Sequence, residues 1–104
     1  MKKFMVLYRA PASAREQMAK ATPEQAKAGM DAWMAWSQRC GDALADMGSP
    51  LASSGKSAGD PVAGYSVLRA ESLDGANKLL EGHPHLMMPG ASIEVLEFLP
   101  IPGM

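Results

Sequence analysis

Strand-like and helix-like segments alternate along this chain in an order that few folds can accommodate. Short apolar runs rich in strand-forming residues predict strands, and apolar residues at helical spacing predict helices. The predicted strands are residues 3–9, a short segment that begins at residue 50, residues 63–71 and residues 92–99. The predicted helices are a long one over residues 22–47 and a shorter one over residues 72–81. The predicted order is β-α-β-β-α-β.

Local signals mark the ends of both predicted helices. Thr22 and Gln25 have the spacing of a capping box, with a proline between them that suits the first helical turn. Gly48 is a natural end for the long helix, and Ser72 can cap the start of the second. Residues 10–21 are polar and alanine-rich, and we interpret them as a loop or one loose turn.

The order of elements predicts a ferredoxin-like α+β fold, with residues 1–104 as one domain. Right-handed crossovers place both helices on one face of a four-stranded antiparallel sheet. The first and last strands carry large apolar side chains on both faces, whereas two helices cover only one face. An open apolar face of that size is unusual on a soluble monomer. We therefore expect a homodimer in which the open sheet faces pack together.

Charge and cysteine content narrow the class of partner. Ten basic and eleven acidic residues give a net charge of -1 and are scattered, which argues against nucleic acid and membrane as partners. No apolar run approaches the roughly 18 residues of a membrane span. Arg9 ends the first apolar run too early for a signal peptide. Together with the single Cys40, these features predict a cytoplasmic protein.

Nine methionines are many for a chain of this length. Met18, Met30, Met34 and Met47 lie on or near the long predicted helix, and two more are adjacent in the loop before the last strand. Methionine is an adaptable filler of irregular cores, and it also suits a pliable wall around an apolar ligand. Both interpretations are open.

Two tryptophans also lie on the long predicted helix. Trp33 and Trp36 are one turn apart, a spacing that usually places both side chains in a core. Trp36 lies at the edge of the apolar stripe, so it is the candidate wall of a small-molecule pocket.

Both histidines of the chain flank Pro84 in the loop before the last strand. In an extended loop His83 and His85 would point to opposite sides, and no cysteine or carboxylate lies at the short spacing of a zinc site. We therefore predict no metal site. An imidazole titrates near pH 6.5 in water and is well suited to general acid or base catalysis. The alternative is a polar loop residue that caps the C-terminus of the second helix.

Asp31 and Asp60 are the candidate acidic partners of a catalytic histidine. Asp31 lies between Met30 and Trp33, close to the buried stripe, although a solvated helix face is the alternative. Asp60 precedes a proline, where an aspartate also serves to form a turn.

Four further side chains are candidates for binding a substrate. Arg69 and Tyr65 share one face of a strand predicted to be central, and Tyr8 and Arg9 lie on the first strand. An arginine on a sheet can pair with a glutamate of the last strand. Alternatively, its planar guanidinium group can hold the carboxylate or enolate of a ligand.

Four segments together resemble the YCII-related family of dimeric α+β barrel proteins. They are the strand Lys-Phe-Met-Val-Leu-Tyr at 3–8, the long tryptophan-bearing helix, Gly-Tyr-Ser-Val-Leu at 64–68, and His-Pro-His-Leu at 83–86 with Ile-Glu-Val at 93–95. The resemblance implies a dimeric α+β barrel. It also implies small-molecule chemistry, because a histidine-aspartate pair has been proposed as catalytic in some relatives and one branch eliminates HCl from a chlorinated hydroxyquinol. His85 matches the family position better than His83.

The chain departs from that family in the middle loop. Many relatives carry Asp-Gly-Pro-Phe before the third strand, whereas residues 59–62 here are Gly-Asp-Pro-Val. Asp60 keeps the acid of that motif, but the glycine and the phenylalanine are missing.

The leading hypothesis is a small enzyme that eliminates or isomerises an aromatic or enolisable molecule. His85 or His83 would act as acid or base, an aspartate would orient it, and Arg69 or a tyrosine would hold an anionic oxygen. No motif in the chain calls for a cofactor. The alternatives are a non-catalytic small-molecule-binding or regulatory dimer and a structural subunit of a larger assembly.

Overall fold

The computed structural model describes residues 1–11, 14–52 and 61–103 of the chain. Its strands are β1 (Lys2–Arg9), β2 (Leu44–Asp46), β3 (Val62–Ala70) and β4 (Ser92–Glu97). Its α-helices are α1 (Ala14–Lys20), α2 (Pro23–Cys40) and α3 (Leu73–Leu80). Two short 3₁₀ helices cover Gly41–Ala43 and Pro84–Met87.

The four strands form one antiparallel sheet in the order β2-β3-β1-β4. β1 lies between β3 and β4, with Val6 paired to both Ser66 and Val95. The predicted α+β, ferredoxin-like fold class is therefore confirmed. A register shift between Tyr8 and Arg9 bends the end of β1, which lies closest to the site described below.

The core fills the space between one sheet face and the helices α2 and α3. Alternate residues of β1 and β3 point into it, as the period of two in a strand requires. The buried hydrophobic side chains of these four elements are Phe4, Val6, Tyr8, Trp36, Cys40, Leu68, Ala70, Ala76 and Leu80. Ser66 is buried on the same face, at a position that its apolar neighbours would predict to be apolar.

The predicted end of the long helix is wrong. α2 begins at the predicted capping box but ends at Cys40, because Gly41 adopts a left-handed conformation with a φ of 56° and its N–H donates to the Ser37 carbonyl. Leu44 continues the helical apolar spacing in the sequence, yet it lies in β2 and pairs with Leu68. An edge strand therefore occupies residues that periodicity assigned to a helix.

Two loop assignments also change. Residues 14–20 form α1, although residues 10–21 were predicted to be a loop or one loose turn. Their alanine, glutamine, glutamate, lysine and methionine all have high helix propensity, even though they show no clear apolar period. The strand predicted to start at residue 50 is only a bridge between Pro50 and Gly64, extended by a hydrogen bond from Leu51 to Ala63.

Among the described residues, no helix has the length and apolar character that crossing a membrane requires.

Candidate functional site

A cleft of ≈ 850 Å³ lies between the helices α1 and α2, the segment after β2, the start of β3 and the second 3₁₀ helix, Pro84–Met87. Five methionines line it, namely the four singled out on or near the long predicted helix and one of the adjacent pair in the loop: Met18, Met30, Met34, Met47 and Met88. Met18 and Met30 are 62% and 59% exposed, so they form the outer wall of the cleft rather than the core. Of the two interpretations of the helix methionines, a pocket wall is the one that fits.

The inner end of the cleft is aromatic. Tyr8 and His85 line it and are almost fully buried, with 2% and 7% of their surfaces exposed. Trp33 forms part of the same wall, and its ring lies edge-on to Tyr8 at a centroid distance of 4.8 Å. The bent end of β1 and the turn before β4 thus bring two titratable side chains to the bottom of an apolar cleft.

The sequence around Pro84 explains how the two histidines are placed. Gly82, with a φ of 70°, turns the chain after α3, and Pro84 starts the 3₁₀ helix. His83 caps this helix, since its Nδ1 accepts the backbone N–H of His85 at 3.0 Å. The two rings do not point to opposite sides, as an extended loop would require, because both lie against Tyr8. His83 therefore caps the following turn and not the C-terminus of α3.

His83 is fully buried, and three aromatic rings lie against it. Its centroid lies 4.3 Å from that of Trp36, 4.5 Å from that of Trp33 and 4.9 Å from that of Tyr8. Because Nδ1 accepts a hydrogen bond, the neutral ring carries its proton on Nε2, which has no hydrogen-bond partner in the described part of the chain. Burial, and then His85 and Arg39, lower the pKa of His83 to about 4. The ring is neutral at pH 7 and is a poor general acid or base there.

His85 is held by a different contact. Its Nε2 lies 2.8 Å from the carbonyl oxygen of Arg9, and because a carbonyl only accepts, Nε2 carries the proton. Its Nδ1 has no partner among the described residues. In that part of the chain, Nε2 of His83 is the one side-chain nitrogen or oxygen that is both enclosed and without a partner. Because Nδ1 of His85 also lacks a partner, it is not enclosed, and it is therefore accessible. The cleft that His85 lines gives access to it.

A short hydrogen-bond chain fixes the hydroxyl of Tyr8. Tyr8 donates to Oγ of Ser66 at 2.8 Å, and Ser66 donates to the Met47 carbonyl at 2.8 Å. Burial raises the pKa of Tyr8 to about 12, against a smaller lowering by the Ser66 hydrogen bond. Tyr8 therefore stays protonated at neutral pH. Ser66 was missed in the sequence, where a polar residue on the inward face of a strand was the available signal.

The predicted acidic partners do not accompany the histidines. Asp31 is exposed on α2 and does not line the cleft. Asp60 lies outside the described residues. None of the described residues lining the cleft is an aspartate or a glutamate, and the group that orients His85 is the main-chain carbonyl of Arg9. The part of the chain that the structure describes also holds no cluster of three side chains suited to bind a metal.

The other predicted binding residues lie mostly away from the inner end. The Arg9 side chain pairs with Glu94 at 3.2 Å, and Arg69 donates to the Asp42 carbonyl at 3.2 Å. Both arginines are on the sheet face opposite the core. Tyr65 borders the cleft and donates to Asp46 at 3.3 Å, and this carboxylate raises the Tyr65 pKa.

Trp36 and Trp33 have exchanged the places predicted for them. The Trp36 side chain is buried, and its indole N–H donates to the Leu79 carbonyl at 2.9 Å, which ties α2 to α3. Trp33 is the tryptophan in the cleft wall. Both tryptophans nevertheless lie on the same side of α2, since both rings contact His83.

Comparison with known proteins places the fold. No protein-family model and no curated protein matches the chain. A solved structure does match, the 5-chloro-2-hydroxyhydroquinone dehydrochlorinase TftG from Burkholderia phenoliruptrix AC1100 in complex with 2,5-dihydroxybenzoquinone. The match covers 90% of this chain and 91% of TftG, with a TM-score of 0.52 and 16% sequence identity. The chain has the dimeric α+β barrel fold. At this identity the likeness to TftG extends to the fold alone.

Proposed function

We propose that this protein is a small enzyme that eliminates or isomerises an aromatic or enolisable organic molecule by acid/base catalysis. The observation that carries the proposal is His85. One of its ring nitrogens is fixed on a main-chain carbonyl, and the other has no partner among the described residues and lies at the buried end of an apolar cleft. A fixed tautomer with one free nitrogen is the arrangement that a general base requires.

The other residues of the site have supporting roles in this proposal. His85 Nδ1 accepts a proton from the substrate, and the Arg9 carbonyl holds the imidazolium that results. His83 positions His85, because its Nδ1 accepts the hydrogen bond that the backbone N–H of His85 donates. The apolar wall excludes water, which strengthens the electrostatic interaction between the imidazolium and the anion that loss of the proton leaves on the substrate. No redox cofactor is needed. One hydroxyl proton of a chlorinated hydroxyquinol first moves to the chlorine-bearing carbon, which gives a keto tautomer, and loss of a second hydroxyl proton and of chloride from that tautomer leaves a hydroxyquinone and HCl.

The structural neighbour supports this choice of chemistry. TftG is named for the removal of HCl from a hydroxylated ring and was solved with a hydroxylated quinone. The resemblance to the YCII-related family implied the same type of chemistry, and membership of that family is part of the proposal. So are the single domain over residues 1–104 and a cytoplasmic location.

The homodimer is part of the proposal as well. The sheet face opposite the helices carries Met5, Leu7 and Val67, which are partly exposed, and Leu96, which is 44% exposed. A second copy packed on this face would remove these side chains from water. Sedimentation at micromolar concentration tests this, and a monomer there would contradict it.

The catalytic proposal is tested by chloride release from 5-chloro-2-hydroxyhydroquinone, together with a panel of unhalogenated hydroxyquinols and enolisable ketones. We expect turnover of at least one compound and a loss of about 10²- to 10⁴-fold in kcat/KM for His85→Gln. Gln is chosen because its side-chain amide N–H can replace Nε2 as donor to the Arg9 carbonyl, which preserves the fold. Lys78→Gln, on the exposed side of α3, is the matched control. Unchanged turnover in His85→Gln would contradict the proposal.

A non-catalytic binding module is the second candidate. It is favoured by the methionine wall and by the lack of a carboxylate beside His85 among the described residues. Saturable binding of several of these compounds with turnover of none would support it.

A further inference from the structure

The hydrogen-bond directions at the bottom of the cleft determine what a ligand must offer. Tyr8 uses its only proton on Ser66, and Ser66 uses its own on the Met47 carbonyl. His85 uses the proton of its Nε2 on the Arg9 carbonyl. The Tyr8 oxygen and His85 Nδ1 are thus left with lone pairs alone, so both can only accept hydrogen bonds.

From this pattern we infer that the cleft binds a neutral ligand with a hydroxyl donor on an extended apolar body of at least two fused rings. The inference deepens the proposed function and rests on it for the identity of the site. It adds the substrate class: a polycyclic phenol or its enol counterpart, bound in the protonated form.

The charge distribution favours the neutral form. An anionic carboxylate or phenolate at the bottom of the cleft would face two lone pairs and gain no hydrogen bond from either. Arg9 and Arg69 are on the other sheet face, and Arg9 is paired with Glu94. Lys20 is the cation that the structure describes in the cleft lining, and it is exposed on α1 at the outer end. While His85 is neutral, a buried anion would therefore gain no compensation for its desolvation from the described side chains at the inner end of the cleft.

The size and the walls of the cleft favour an extended body. Pockets of 300–1,000 Å³ enclose drug-sized ligands, and this cleft of ≈ 850 Å³ lies in the upper part of that range. A single hydroxylated ring would fill only its inner end, beside Tyr8 and His85. The five methionines continue the apolar surface outward to Met18 and Met30, where a second and a third ring would lie. Their flexible thioethers adapt to flat aromatic surfaces.

Equilibrium dialysis at pH 7 with four matched probes tests the inference. The probes are 2-naphthol, 2-methoxynaphthalene without the donor, 2-naphthoate as the anion, and phenol as the single ring. We expect 2-naphthol to bind about tenfold more tightly than phenol, because the second ring is buried, and about tenfold more tightly than the methoxy compound, because the donor is lost. We expect 2-naphthoate to bind most weakly. Equal affinity for 2-naphthol and any of the other three, or tightest binding of 2-naphthoate, would overturn the inference.

Two variants locate the ligand. Met30→Gln is expected to weaken the binding of 2-naphthol several-fold more than the binding of phenol. Met87→Gln, at a position 83% exposed outside this cleft, should change the affinity for neither compound. If Met30→Gln has no effect on 2-naphthol, the ligand does not occupy the cleft and the inference is wrong. Dialysis requires no turnover, so the two proposals fail separately. If the binding order is as expected but no turnover depends on His85, only the proposal of catalysis is refuted. If turnover depends on His85 but the binding order differs, only the proposed ligand class is refuted.

Discussion

The enclosure of His83 predicts a specific loss of stability in acid. The side chain is 0% exposed, its Nε2 has no partner among the described residues, and burial lowers its pKa from 6.5 to about 4. Well above pH 6.5 the ring is neutral in both the folded and the unfolded chain, so it contributes no pH dependence there. As the pH falls from 6.5 to 4, the unfolded chain takes up a proton that the folded chain does not, and stability is lost.

The size of the effect follows from the width of that window. Each pH unit in which only the unfolded chain is protonated lowers the free energy of unfolding by about 1.4 kcal/mol. Between pH 6.5 and pH 4 the loss attributable to His83 is therefore about 3 kcal/mol. This is a large fraction of the 5–15 kcal/mol that stabilises a typical domain.

The assay compares the wild-type protein with His83→Asn, because the Asn side-chain oxygen can still accept the His85 backbone N–H. Urea unfolding followed by tryptophan fluorescence, at fixed protein concentration and at pH 7.5, 6, 5 and 4, gives the free energy of each. The cavity left by the smaller side chain is a constant offset, and the carboxylates titrate alike in both proteins. Between pH 7.5 and pH 4 we expect the free energy of unfolding of the wild type to fall by about 3 kcal/mol more than that of the variant. Parallel pH curves would refute the account of His83.

Further predictions concern local backbone features, and each is checked by urea unfolding. Gly48→Ala should destabilise by more than about 2 kcal/mol, because its φ is 83° and a Cβ would lie 1.6 Å from the Tyr65 carbonyl oxygen. Gly29→Ala is its control, since a Cβ there meets nothing within 4 Å, and it should stabilise α2 by up to about 1 kcal/mol; destabilisation there would contradict the reasoning. Thr22→Ala should cost about 1 kcal/mol by removing the capping box with Gln25, and no change would contradict that assignment.

Three of the four strands, β1, β3 and β4, were predictable because their signals are local and have a simple period. The alternation in β1 and β3 sorted their side chains into two faces, although it did not tell which face is buried. In the structure Val6 and Leu68 point inward and Arg69 points outward. The capping box at Thr22 gave the start of α2. These features depend on a few neighbouring residues, so the sequence is sufficient for them.

The helix end was not predictable, because two signals conflict there. The spacing of Leu44 and Met47 extends the helical pattern, while Gly41 ends the helix seven residues before Gly48, the predicted end. Leu44 lies in a strand and not in the helix because it pairs at the sheet edge with Leu68, which is far away in the sequence. Periodicity within one segment contains no information about that contact.

The histidine site was predictable as a location but not as a geometry. The position of the pair around Pro84 drew attention to the loop, but a proline fits both an extended segment and the first turn of a 3₁₀ helix. The partner of His85 is the main-chain carbonyl of Arg9, which is 76 residues away in the chain. A main-chain partner leaves no trace in side-chain identity, so an aspartate was sought instead. The catalytic role of either histidine stays a prediction.

The most direct test of the account is a ¹⁵N NMR spectrum of the two imidazole rings at pH 8, recorded with and without 2-naphthol. We expect both rings to carry their proton on Nε2, and 2-naphthol to shift the Nδ1 resonance of His85 while leaving that of His83 in place. A proton on Nδ1 of His85, or a response at His83 alone, would contradict the assignment of His85 as the accessible base.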